Sequence, residues 1–371
     1  MNYTHFTGLD GFVWFIGVVE DNNDPDKLGR VKVRAYGHHS KSLNDIPLEL
    51  LPWATVMGST LDTSMQGQGS FRKLEPGTWI VGFFLDAEER QQPVVMGTIK
   101  GKPNAAPNKD IGFNDPSEIN PQTKKWSGHG TDKDNNNMTT ETQFIESDVN
   151  RLAKNETDLS HTVLTTKEEG RTKEVAIANS DEKFDEPAST YAAVYPDNNV
   201  LETSSGHIVE YDDSVGTERI HEYHKTGTFY EIDKAGIKTT RIVANNYTIV
   251  AGDDNVHIKG ICNLTIDSHC HTYIKGNWKV QVNGNKYETI HGNNTITVHK
   301  NQSETCNVNF TQSVGGTKGT TVTGSVTETY NSSKSESVSS SVSESYGGDQ
   351  ITTVSGDVEI EGTNIHLNKN K

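Results

Sequence analysis

The chain has few hydrophobic residues from which to build a large globular core. Only 32% of its 371 residues are hydrophobic and 8% are aromatic. No apolar run approaches the roughly 20 residues that cross a bilayer. Residues 1–15 lack the basic and apolar regions of a secretion signal. This composition favours either extensive disorder or a narrow core inside a large polar surface.

Cationic charge and cysteine are also scarce. Lys and Arg number 34 against 50 Asp and Glu, a net charge of −16, which argues against binding to nucleic acids or anionic membranes, because both need clustered cations. Cys262, Cys270 and Cys306 form no CxxC pair, which excludes zinc ribbons and thioredoxin-like sites. A sparse, odd set without a secretion signal indicates reduced thiols made in a cytoplasm.

The second half of the chain carries an eight-residue repeat. Glycines recur at this spacing, for example Gly276, Gly284 and Gly292, although Lys300 and Val308 interrupt the small-residue pattern. The position two residues before each of these sites is apolar or uncharged without a phase slip. Fifteen consecutive sites follow this register: Ile242, Val250, Ile258, Ile266, Ile274, Val282, Ile290, Val298, Cys306, Val314, Val322, Tyr330, Val338, Tyr346 and Val354.

An eight-residue repeat matches one short strand followed by a bend. Side chains alternate across a strand, so Val280 and Val282 share a face while Gln281 points the other way. Gly, Ser or Asn after the apolar site permits the bend. A unit this short buries its apolar face only by stacking, so the repeat predicts a β-helix with a thin apolar axis. A single chain winding three repeats per coil and three intertwined chains both satisfy the pattern.

The serine-rich stretch 325–347 allows two interpretations. Its composition is typical of a disordered linker, but Tyr330, Val338 and Tyr346 keep the eight-residue phase, which favours ordered β-helix. Ile360 lies six residues after Val354 rather than eight, so a narrowing or capping segment is expected near the end.

Residues 11–100 predict a five-stranded barrel. Five strand-like runs separated by turn residues cover 12–21, 29–37, 51–57, 77–86 and 93–99. Five strands in a Greek-key barrel are typical of the OB fold, which often binds nucleic acids or sugars. The acidic charge favours an interaction scaffold instead.

The middle of the chain has few regular patterns. Residues 101–141 are rich in Pro and Asn and predict a linker, and 147–156 could form one short helical turn. Alternating strands begin near Val200. The overall prediction is an all-β chain with four parts: an OB barrel at 1–100, a linker and extended segment at 101–196, neck strands at 197–240 and a β-helix spike with tip at 241–371.

These motifs resemble a known family. The runs at 15–40, 51–57, 77–84 and 91–99 resemble the OB domain of the central, cell-puncturing spike of T-even-type contractile phage tails. Residues 194–236 resemble the neck that those spikes share with VgrG proteins of type VI secretion. The repeat is similar to the spike's intertwined trimeric β-helix, so the resemblance implies a homotrimer.

One part of the family pattern is missing. The T-even spike has a lysozyme domain between barrel and β-helix, whereas the interval 101–196 has no helical run long enough to frame such a cleft. Glycoside hydrolysis needs two carboxyl groups at a fixed separation. The nearest candidates, Glu146 and Asp148, lie in the expected linker. We therefore expect no enzyme activity, no catalytic residue and no cofactor.

His269 and His271 are weak metal-ligand candidates. Imidazole suits a transition metal, and some related spikes hold iron in His-x-His pairs at their C-terminal tip. The register instead points both histidines away from the Ile266/Ile274 face, far from the C-terminus, so a solvated surface is expected. Cys262 and Cys270 share one phase and are expected to stay unpaired.

The resemblance implies a structural spike of a virion tail baseplate that pierces the host envelope on contraction. The barrel would attach to a separate hub protein, a PAAR-type protein could cover the C-terminal tip, and no nucleic acid would bind. The alternatives are a VgrG-like secretion spike and a glycan-binding or depolymerising tail fibre. The fibre would need outward aromatic or carboxylate clusters, whereas the repeats show mostly Thr, Asn, Ser and Lys.

Overall fold

A computed structural model describes residues 13–87, 89–102, 111–113 and 147–366. Contacts divide the chain into two units, 1–289 and 290–371. The first unit contains a barrel, two helices, a hairpin, a five-stranded sheet and the first part of the repeat. The second consists, in its described part, of repeat alone. No described helix has the length and apolar character to span a membrane.

The predicted five-stranded barrel is confirmed. Its strands are β1 (Val13–Asp21), β2 (Val31–Ala35), β3 (Trp53–Val56), β4 (Trp79–Phe84) and β5 (Pro93–Thr98). They close in the order β1-β2-β3-β5-β4, and only the β3–β5 pairing is parallel. A 3₁₀ turn, Leu48–Leu50, precedes β3.

The barrel has a core of aliphatic and aromatic side chains, and one buried ion pair lies on the other face of β2. The apolar part includes Phe15, Val19, Ile80 and Phe84. Beside it, the fully buried Arg34 guanidinium donates from Nε and Nη2 to the Glu20 carboxylate at 2.8 and 2.9 Å. Such a bidentate pair is directional as well as strong.

A short piece of the expected linker docks on this ion pair. The backbone N–H of Phe113 donates to Glu20 Oε1 at 2.7 Å, and that of Gly112 donates to the Lys41 carbonyl at 2.7 Å. The Phe113 ring stacks on Trp79 with centroids 6.3 Å apart. Residues 111–113 are therefore part of the barrel, a contact that the predicted linker did not include.

The interval before the neck contains one helix where a short helical turn was expected and a second helix where extended chain was expected. Helix α1 (Arg151–Lys154) is capped by the Asn150 side chain, and α2 (Thr157–Glu169) has 13 residues. A small hairpin follows, with strands β6 (Val175–Ala176) and β7 (Lys183–Phe184). The expectation of an extended segment over 101–196 is thus corrected at α2.

The neck is a meandering antiparallel sheet. Its strands are β8 (Asn198–Glu202), β9 (Ile208–Asp212), β10 (Arg219–Tyr223), β11 (Phe229–Ile232) and β12 (Lys238–Arg241), paired in chain order. Both helices lie on one face of this sheet. A second apolar cluster joins them there through Leu152, Val163, Ile208, Tyr223 and Phe229.

Beyond β12 the chain is extended and bends at a fixed interval. Bends fall at 243–244 and then at every eighth residue through 355–356, Lys300 and Val308 included. A further bend at Thr363 keeps this spacing although the apolar phase shifts to Ile360. The bends therefore follow the register that the glycines mark.

We predict that Gly112→Ala weakens the docking of 111–113. An added Cβ would lie 2.4 Å from the Lys41 carbonyl oxygen and 2.7 Å from Arg34 Cδ. Such overpacking lowers the free energy of unfolding by about 1–3 kcal/mol, measurable by urea titration followed by tryptophan fluorescence. Gly97→Ala is the matched control because a Cβ there meets nothing within 4 Å. Equal stability of the two variants would contradict the docking.

Candidate assembly interface and its anchor

The described residues of the repeat segment form no backbone ladder within their own chain. None of the described residues from 242 to 366 belongs to a strand or helix. Every described residue from 244 to 366 is exposed. Ordering an extended chain costs about 1–2 kcal/mol per residue in backbone entropy. A regular conformation without ladder hydrogen bonds therefore points to partners from outside the chain.

The fifteen register sites form the most sheltered stripe of this segment. Their aliphatic and tyrosine side chains range from 39% exposed at Ile242 to 54% at Tyr346. Other apolar side chains nearby are more open, with Val256 at 76% and Ile249 at 90%. The register sites still leave their apolar side chains about half open to solvent, and a set of exposed apolar side chains is typical of an interaction surface.

Side-chain contacts follow the two-residue period of a strand. Tyr330 donates its hydroxyl to Glu328 Oε2 at 3.0 Å, and Tyr346 donates to Glu344 Oε2 at 2.8 Å. Both pairs lie in the serine-rich stretch. In this stretch the tyrosines at the register sites contact carboxylates two residues away, so these register sites are more polar than the aliphatic ones.

The predicted metal and thiol residues lie on the surface. The rings of His269 and His271 are 6.2 Å apart and exposed. The described ranges contain no group of three or more His, Cys, Asp or Glu that could hold a metal ion. Cys262, Cys270 and Cys306 are exposed free thiols.

The candidate carboxylates of the interval are placed differently. Glu146 lies outside the described residues. Asp148 instead pairs with Gly101, the first residue of the interval: its backbone N–H donates to the Gly101 carbonyl at 2.9 Å, and its Oδ2 accepts from the Gly101 N–H at 2.8 Å. These two hydrogen bonds give Asp148 a structural role.

A buried charge network anchors α2 to the neck sheet. Arg219 on β10 contacts Glu210 Oε1 and Glu231 Oε2, both at 3.0 Å. Lys167 on α2 donates to the same Glu231 Oε2 at 2.7 Å. All four side chains are buried. Buried charges are tolerated only when paired in this way.

His221 links the two halves of the network. Its Nε2 lies 3.3 Å from Lys167 Nζ and its Nδ1 lies 2.6 Å from Glu210 Oε2. A lysine ammonium can only donate, so Nε2 accepts and Nδ1 carries the proton. This arrangement makes the buried imidazole neutral and fixes its tautomer.

Burial and pairing shift the pKa values of this network. Burial is the main cause that lowers the pKa of His221, against the opposing hydrogen bond to Glu210. Burial acts to raise the pKa of Glu210, but the hydrogen bond to His221 and the charge of Arg219 outweigh it and lower that pKa to about 2. Both groups bind protons more readily in the unfolded chain, so the stability they contribute falls as pH drops below about 6.5 for the histidine and about 4.3 for the glutamate.

The opposite face of the neck sheet is apolar and open. Ile220 on β10 stands directly opposite Tyr211 on β9 and Ile232 on β11. Tyr211 is 56% exposed and Ile220 is 40% exposed. The sheet thus buries charges under its helices and exposes an apolar face, the reverse of what a lone soluble sheet requires. Sequence alternation alone did not reveal this, because both faces carry apolar residues.

Comparisons with known proteins agree with the barrel. The family described as Gp5 N-terminal OB domain matches residues 35–202. Protein Gp5 of Vibrio phage KVP40 is 38% identical over 291 residues, which cover 70% of this chain and 65% of the relative. The pre-baseplate central spike protein Gp5 of Enterobacteria phage T4 is 42% identical over 110 residues, 28% of this chain and 19% of the relative. The chain thus spans somewhat less than two thirds of the first relative and about a fifth of the second.

We predict that Glu210→Ala strongly destabilises the neck. The change leaves Arg219, His221 and Asn198 buried without their shared carboxylate. Removing one partner of a buried pair lowers the free energy of unfolding by about 3–5 kcal/mol, measurable by denaturant titration. Asp213→Ala is the control, since that carboxylate is exposed at the end of the same strand and should cost about 0.5 kcal/mol or less. Similar losses in both variants would contradict the anchoring role.

Proposed function

We propose that this chain, a relative of the T4-type central spike proteins, forms the central spike of a contractile phage tail baseplate and pierces the host envelope on contraction. The observation that carries the proposal is the repeat segment, whose described residues are regularly bent, carry half-exposed apolar side chains at the register sites and form no backbone ladder within their own chain. The similarity to the Gp5 proteins of phages KVP40 and T4 supports the same assignment. Its place would be the virion tail.

The working form would be a homotrimer with an intertwined β-helix. A single chain wound into three repeats per coil would stack its own coils and form ladders. The described residues 242–366 contain no such ladder. Three copies would supply the missing hydrogen bonds and cover the apolar stripe and the open face of the neck sheet.

The other partners follow from the position of each part. The closed OB barrel would attach the spike to a separate hub protein. A PAAR-type protein would cover the C-terminal tip, beyond which only the envelope remains to be crossed. Three chains carry a charge of 3 × −16 = −48, which opposes nucleic-acid binding.

The role would be mechanical rather than enzymatic. Of the two candidate carboxylates, Asp148 is held by its hydrogen bonds with Gly101. Rigidity would come from a shaft in which each strand is bonded above and below. The shaft would transmit the force of sheath contraction to the envelope.

The register of the shaft is tested by one substitution and its neighbour. Val282→Asp would place three carboxylates near one another in a dry axis, where a buried unpaired charge costs several kcal/mol. Asn283→Asp adds the same charge at the bend and should cost about 0.5 kcal/mol or less. We expect the first variant to lose the trimer in native mass measurements and the second to keep it. Equal behaviour of both would refute the register.

The proposed place in the virion is tested on whole particles. In phage that carries this chain, an antibody against the repeat segment should label the distal centre of the tail. Label on the capsid, the sheath or peripheral fibres would refute the spike assignment.

The proposed lack of enzyme activity is tested separately. The purified chain should leave peptidoglycan uncleared in a turbidity assay. Reproducible clearing would refute the non-enzymatic role.

A further inference from the structure

The β6–β7 hairpin lies along the beginning of the repeat segment. Thr265 donates its hydroxyl to the Ala176 carbonyl at 2.7 Å, and Thr289 donates its hydroxyl to Asn179 Oδ1 at 3.3 Å. The base of the hairpin is fixed to the neck, because the Arg241 guanidinium pairs with the Glu186 carboxylate at 2.7 Å. The hairpin is therefore held at its base and touches the repeat at two points.

The two points are separated by a whole number of repeats. Thr265 and Thr289 are 289 − 265 = 24 residues apart, which is three repeats of eight. Each stands directly before a register site, Ile266 and Ile290. One side of a narrow hairpin reaches both, so the chain has returned to the same face after three bends. That return implies about 120° per bend, the geometry of a threefold prism.

The distance between the two points leaves room for other strands. From Ala176 to Asn179 the chain advances three residues, about 10 Å at ~3.3 Å each, and the two side-chain hydrogen bonds add a few ångströms. Three strand spacings of ~4.8 Å make about 14 Å. Strands at one and two spacings fit between the contacts. The chain itself does not fill these places, since its next two repeats lie on the other two faces of the prism.

We propose that the β6–β7 hairpin is an intersubunit clasp that lies across the strands of two other copies of this chain. The inference rests on the trimer of the proposed function. Threefold symmetry places the next two repeats of the neighbouring copies in the gap, so the hairpin meets Tyr273 of one copy and Gln281 of the other.

The side chains of the hairpin suit such a contact. Val175 and Ile177 are half-buried, whereas Ala176 and Ala178 are exposed. Tyr273 is 85% exposed in the lone chain, and the neighbouring copy's hairpin would cover its ring with Ile177. The hairpin would thus make hydrogen bonds to Thr265 and Thr289 of its own chain and apolar contacts with the other chains. Together these contacts would stabilise the first repeats of the trimer.

Cysteine cross-linking tests the clasp in the full-length chain. The background carries Cys262→Ser, Cys270→Ser and Cys306→Val, which remove the three native thiols. Ile177→Cys is then combined with Tyr273→Cys, treated with a short bis-maleimide under native conditions and analysed on a denaturing gel. We expect covalent dimers and trimers, because each hairpin reaches a different chain. Each single-cysteine variant controls for random coupling and should stay monomeric on the gel.

Ile177→Cys with Thr265→Cys is the matched pair within one chain. It should cross-link without forming covalent oligomers. Native mass is measured on the same samples to separate the two proposals. A trimer whose Ile177/Tyr273 cysteines do not join different chains would overturn the clasp alone. A monomer in native mass would overturn the trimer and the clasp together.

Discussion

The structure depends on one constraint, which is that the extended backbone of the described repeat residues forms no ladder within its own chain. More than a hundred residues are extended and bent every eighth residue, and none of those described from 242 to 366 belongs to a strand or helix. In the proposed trimer, other copies of the chain would supply the ladder partners. Each register site stands directly before a bend. The low hydrophobic content fits the proposed trimer, in which a thin shared axis would need only one or two apolar residues per repeat.

The neck would give the proposed trimer a rigid base. Its sheet buries Glu210, Arg219, His221 and Glu231 under α2 and leaves Tyr211 and Ile220 open on the other side. The ion pair of Lys167 with Glu231 fixes α2 against the sheet. The ion pair of Arg241 with Glu186 fixes the base of the β6–β7 hairpin against the same sheet, just before the repeat begins. Because the neck is rigid, it would fix the position and direction from which the first repeats begin.

Sequence reasoning succeeded where one periodicity acted alone. The barrel strands and the bends of the repeat follow from alternation and spacing, and even Lys300 and Val308 adopt the bend that their register requires. It missed α2, because residues 157–169 are mostly polar and only Leu159, Val163 and Leu164 are aliphatic. It also missed Phe113 on Trp79 and His221 between Lys167 and Glu210, since these contacts join residues distant in sequence. The partners of the register sites stay a prediction, because a single chain does not contain them.

Hydrogen exchange of the backbone amides in 242–366 tests the central claim most directly. Amides that pair with other copies above and below should exchange orders of magnitude more slowly than unstructured peptide, throughout the repeat and including the serine-rich stretch 325–347. Exchange at the rate of unstructured peptide across the same residues, in protein whose barrel amides are protected, would contradict the account.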